Sequence, residues 1–78
     1  MRLRKRSFNL SGHATSLALE PEFWFALEEM ARREATSLAG LIGRIDKGRG
    51  ERPLASACRV AALEAAVTRS GSAALPAC

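Results

Sequence analysis

The stretch "TSLALEPEFWFALEEMARREATSLAGLIGRID", residues 15–46, decides the fold. Its start alternates: Thr15, Leu17 and Leu19 fall on one face of an extended chain, and Ala14, Ser16 and Ala18 on the other, the period of a half-buried strand. Pro21 suits the first position of a helix, where its missing N–H is not needed, and Glu22 sits well in the positive first turn. Phe23, Trp24, Leu27, Met30 and Ala31 then recur at helical spacing as one apolar stripe, and the helix is expected to end near Glu34. Ser37 is a favoured N-cap for a second helix, whose buried stripe is Leu38, Leu41, Ile42 and Ile45 and which should end near Lys47. One strand and two helices leave the strand without a partner. An unpaired edge exposes backbone donors and acceptors, so the strand is expected to pair with a second copy of the chain.

Outward from this stretch the pattern weakens. Residues 1–12 are polar and basic and close with Ser11-Gly12; Arg2, Arg4, Lys5 and Arg6 all precede the first acid. They are expected to form a basic flexible arm, with the alternation of Phe8 and Leu10 leaving a short extension of the strand as the other reading. After the Gly-rich basic loop "KGRGERP", residues 47–53, the run from Leu54 to about Thr68 is Ala-rich and apolar around most of its circumference, which predicts a third helix buried in a dimer. The domain is expected over residues 13–69, and the ending "SGSAALPAC", residues 70–78, as a disordered tail.

Length and composition narrow the function classes. A chain of 78 residues buries only about 60% of the surface its unfolded form exposes, so a second copy would supply missing core. Three Phe, one Trp and no Tyr mean that aliphatic and Ala packing must dominate, which disfavours a large ligand pocket. The net charge of +4 is unevenly spread: the N-terminal part is the candidate anion-binding side, and the first helix, in the acidic stretch 20–34 with Glu20, Glu22, Glu28, Glu29 and Glu34, is expected to face away. No run of about 18 apolar residues occurs, so no membrane association is expected, and a cytoplasmic location is. One His, no nucleophile–base spacing and no phosphate loop give no basis for an enzyme. Cys58 and Cys78 have no metal-ligand spacing; Cys58 reads as a core residue, and neither a metal nor a cofactor nor a small-molecule substrate is expected.

The strand–helix–helix arrangement resembles the ribbon-helix-helix DNA-binding family. The segments "RKRSFNLSGHATSLALEPEFW", residues 4–24, and "SACRVAALE", residues 56–64, are similar to a subfamily of short bacterial proteins of that type. The resemblance implies a mainly α fold with one β-strand per chain. Two copies would intertwine as a homodimer around a two-stranded antiparallel ribbon, with a third C-terminal helix added. Its dimer core would comprise Leu17, Leu19, Trp24, Leu27, Leu41, Ile42 and Ile45. Ala14, Ser16 and Ala18 match the base-facing strand positions, with His13 as a substitute reader if the register slips. The N-terminus of the second helix, Ser37 with the amides of Leu38 and Ala39, matches the element that meets DNA phosphates, and Arg2, Arg4, Lys5 and Arg6 would add phosphate contacts.

The resemblance also carries a departure. The subfamily has an Arg where this chain has Ala14, and neither Ala nor Ser makes the bidentate base contact worth about 1–3 kcal/mol of discrimination. The expected function is a small transcriptional regulator binding double-stranded DNA through its ribbon, with weak sequence reading. The alternative is a dimeric protein-interaction module that keeps the fold without sequence-specific DNA reading and works through the acidic first helix and Phe25.

Overall fold

The computed structural model describes residues 2–74, with side chains through residue 68. Two strands precede three helices: β1 (Arg4–Leu10), β2 (His13–Leu19), α1 (Pro21–Arg33), α2 (Leu38–Gly48) and α3 (Leu54–Ala74). The strands form one antiparallel sheet, in register from Arg4 opposite Leu19 to Leu10 opposite His13. The expectations of one strand per chain and of a flexible arm over residues 1–12 are therefore corrected. The physical reason is the dipeptide Ser11-Gly12, whose φ values of 52° and 83° supply the two positive dihedrals of a two-residue hairpin turn. That turn matches the right-handed twist of the flanking strands, so β2 finds its partner in its own chain.

The helices begin and end where local chemistry dictates. Pro21 opens α1 behind an extended Glu20. The helix stops at Ala35, held at φ 54°, where the Thr36 amide reaches back to the Ala31 carbonyl at 2.9 Å and satisfies an otherwise orphaned acceptor. Ser37 caps α2 by accepting from the Gly40 amide at 2.9 Å. A Cβ on Gly40 would lie 2.7 Å from the Thr36 Oγ1, whereas one on Gly43 would make an ordinary 3.9 Å contact with Leu10. The latter is an ordinary contact of α2 with β1 within one chain.

The core gathers Leu10, Leu17, Leu19, Trp24, Leu27, Ala31, Leu41, Ile42, Cys58 and Ala62. Leu17, Leu19, Trp24, Leu27, Leu41 and Ile42, expected between two chains, are all buried within one, and Ile45 is half-buried. β1 and α3 provide the cover that a partner was expected to bring. α3 is one-sided: Ala57, Cys58 and Ala62 are buried, while Leu63 and Val67 stay exposed. It also outruns the expected end, continuing to Ala74 through residues expected as tail. Residues 75–78, also expected as tail, lie outside the described residues.

Candidate nucleic-acid interface

Side chains alternate across the hairpin, and directly opposed residues share a face. The register puts Leu17, Leu19, Thr15, Arg6 and Phe8 on the face toward the helices and Lys5, Ser7, Asn9, Ala14, Ser16 and Ala18 on the other. Of the outward set, only Ala18 is less than fully exposed. The Ser7 and Ser16 hydroxyls lie 3.3 Å apart across the strands, as this face assignment requires. His13 sits opposite Leu10 and shares the parity of Leu17 and Leu19, so it stands at the hairpin tip and off the outward face.

Register matters here because a one-residue slip would exchange the two faces. Trp24 pins it. The indole Nε1 donates to the Arg4 carbonyl at 2.9 Å, and the Phe8 ring stands 5.9 Å from it, centroid to centroid. The Arg6 guanidinium lies 4.7 Å from the indole centroid and pairs with Glu28 at 2.9 Å. Arg6, expected on phosphates, is thus engaged on the helix side of the sheet, while Arg2, Arg4 and Lys5 are exposed.

The N-terminus of α2 lies beside the hairpin tip. A groove of about 330 Å³ is lined by Asn9, Leu10 and Ser11 from the ribbon end and by Ala39, Gly40, Gly43, Arg44 and Lys47 from α2. Ser37 satisfies Gly40, and the Leu38 and Ala39 amides, as the first residues of the helix, have no intrahelical acceptor. The groove brings the start of α2 and one end of the outward face together.

Charge is distributed to match. Two of the three α1 acids are paired, Glu28 with Arg6 and Glu29 with Arg32, and Glu34, just past the helix end, pairs with Arg44. Glu20 pairs with Arg59 at 3.0 Å, and that guanidinium holds its carboxyl below the usual carboxylate range. Among the described residues, the cations without an ion-pair partner are Arg2, Arg4, Lys5, Arg33, Lys47 and Arg52. Three of them stand at the start of the ribbon and one lines the groove. Among the described residues no cluster of His, Cys, Asp or Glu could hold a metal, and no helix is long and apolar enough to cross a membrane.

The sequence reading found the outward residues of β2 and the start of α2. It missed Lys5, Ser7 and Asn9 as part of the same face. The signal was present, as two alternating runs separated by two residues, one of them Gly.

The sequence model of the ribbon-helix-helix domain matches residues 3–66, which takes in both strands, α1, α2 and most of α3. The chain belongs to the ribbon-helix-helix domain family. Ribbon-helix-helix proteins are in general DNA-binding regulators that act as dimers. Among solved structures, the chain is similar to an uncharacterized protein from Bordetella pertussis Tohama I, with 36% identity and a TM-score of 0.80. The match covers 90% of this chain and 60% of that one. No curated protein matches.

Proposed function

We propose that this ribbon-helix-helix chain is a bacterial transcriptional regulator that docks the outward face of its ribbon in the major groove of double-stranded DNA. The observation that carries the reading is the composition of that face. Lys5, Ser7, Asn9 and Ser16 offer hydrogen-bonding groups, Ala14 and Ala18 add only methyls, and no large apolar side chain interrupts them. A two-stranded ribbon fits the major groove, where base edges carry a distinct donor and acceptor code. With the ribbon inserted, the groove that joins Asn9 and Ser11 to Ala39 brings the start of α2, with the Leu38 and Ala39 amides, near the flanking backbone, where free N–H groups and the helix dipole favour a phosphate. Arg2, Arg4 and Lys47 extend the positive rim.

The protein acts as a homodimer in this reading. Among the described residues β2 pairs with β1 of its own chain, and a second copy would add an equivalent two-stranded ribbon related to the first by a two-fold axis. Its place is the cytoplasm, on the nucleoid when bound. The interaction-module alternative keeps an exposed Phe25 but loses ground because Glu28 and Glu29, two of the three α1 acids it would use, are held by Arg6 and Arg32.

The test is fluorescence anisotropy of labelled duplexes at low and physiological salt, comparing a fragment upstream of the protein's own coding sequence with a shuffled control. Preference for the upstream fragment supports a regulator of its own operon. Equal, salt-sensitive binding to both reduces the function to electrostatic DNA coating, and no binding at low salt rejects it.

A further inference from the structure

We infer that base reading has moved from β2 to β1 in this chain, with Lys5 and Asn9 as the specificity-determining residues; the inference rests on DNA binding as proposed above. β2, the strand expected to read bases, presents only Ala14, Ser16 and Ala18 outward. Two of these have no hydrogen-bonding side chain. Across the ribbon the register sets Asn9 opposite Ala14 and Lys5 opposite Ala18, so each Ala faces a longer polar side chain on the same face. Among the described residues, neither the Lys5 nor the Asn9 side chain has a hydrogen-bond or ion-pair partner, in contrast to Arg6, which Glu28 and Trp24 occupy. The outward face is thus asymmetric, with two tall, uncommitted polar groups on one strand above a low floor on the other.

The chemistry of the two side chains differs in a way DNA can register. The Asn amide both donates and accepts, matching the N6 and N7 of adenine, and the Lys ammonium only donates, matching the O6 and N7 of guanine. Four residues of strand separate them, about 13 Å at roughly 3.3 Å per residue. That distance equals about four base steps at about 3.4 Å each. The small residues of β2 let the floor approach closely, where Ala14 and Ala18 can meet thymine methyls. Trp24, anchored on the Arg4 carbonyl, and buried Leu10 hold the two ends of β1, so the readers cannot rotate to the other face without unmaking the core.

The experiment is selection of bound duplexes from a randomised library with the full chain, followed by anisotropy titration of the selected site and its single-base variants at two salt concentrations. The panel is wild type, Asn9→Ala, Lys5→Ala and Lys5→Arg. The expected site holds an adenine and a guanine about four steps apart. Asn9→Ala should lose discrimination at the adenine by roughly 5- to 150-fold while keeping it at the guanine. Lys5→Ala should do the converse, and Lys5→Arg should retain the guanine. If both Ala variants weaken all duplexes equally, and Lys5→Ala lowers the log–log salt slope by about 0.9, Lys5 is a phosphate contact and the inference is overturned. A wild type that binds tightly without preferring any base overturns it too, leaving DNA binding intact. Absence of all binding at low salt instead removes the functional reading beneath it.

Discussion

Replacing Trp24 by Phe isolates the contact that turns residues 4–10 from an arm into a strand. The indole is 2% exposed, so both what it buries and what it bonds are lost from an ordered environment. Losing the Nε1 bond to the Arg4 carbonyl costs about 1 kcal/mol net, toward the low end because water can reach the exposed Arg4 backbone. The smaller ring takes roughly 40 Å² of apolar contact out of the core, about 1 kcal/mol at roughly 25 cal/mol per Å². A weaker stack under the Arg6 guanidinium adds about 0.5 kcal/mol, since that arginine is partly in water. The sum, about 2.5 kcal/mol, should lower the melting temperature by about 10–20 °C in a domain of this size. The assay is thermal unfolding followed by far-UV circular dichroism, with Lys5→Ala as the surface control, expected to stay within about ±0.5 kcal/mol of wild type. A Trp24→Phe protein that melts within about 3 °C of wild type would refute the reasoning and return residues 4–10 to a loosely attached arm.

Backbone positions give opposed expectations in the same assay. Gly12→Val forces a β-branched side chain to φ 83° and should cost at least about 1–2 kcal/mol, whereas Ala35→Gly, at φ 54°, should stabilise by roughly 0.5–1 kcal/mol. In α2, Gly43→Ala should stabilise by up to about 1 kcal/mol because only a 3.9 Å contact awaits its methyl, and Gly40→Ala should destabilise because Thr36 blocks it; a destabilising Gly43→Ala would place a second chain against that helix. The Cys58 thiol is pushed up to about 11 from 9.0, first by burial and then by the charge of Asp46. The unfolded chain releases that proton earlier than the folded one, so its contribution to stability is complete below about pH 9 and disappears as pH rises to about 11. Urea midpoints at pH 8 and 10.5 should show that extra loss in wild type and not in Cys58→Ala.

The helices were legible because each has a local signal that agrees with its tertiary role. Pro21 and Ser37 mark the two starts, the stripe through Trp24, Leu27 and Ala31 faces the core, and Leu41 with Ile42 does so on α2. β2 was legible for the same reason, in the burial of Leu17 and Leu19. β1 was legible only in its second half, where Phe8 and Leu10 alternate ahead of Ser11-Gly12, because its earlier helix-side positions carry Arg4 and Arg6 where an apolar alternation would be looked for. Those arginines work on the inner side by different means: Arg6 lies along an aromatic ring, and Arg4 acts through its backbone carbonyl. Binary hydrophobicity has no symbol for either. The outward face followed that omission, since Lys5 and Asn9 acquire meaning only once the pairing with Ala18 and Ala14 is known. α3 was foreseen as a helix, but its exposed flank at Leu63 and Val67 depends on how Ala57, Cys58 and Ala62 seat it on α1 and α2.

The two-residue turn at Ser11-Gly12 also changes what mutation can explore. In a ribbon made from two copies of one strand, a single codon change alters both strands together, and any gain on one side must be tolerable on the other. Here adjacent strands are encoded by separate codons. One can drift toward small residues while its neighbour accumulates polar ones, so new outward surfaces can arise one strand at a time without redesigning both.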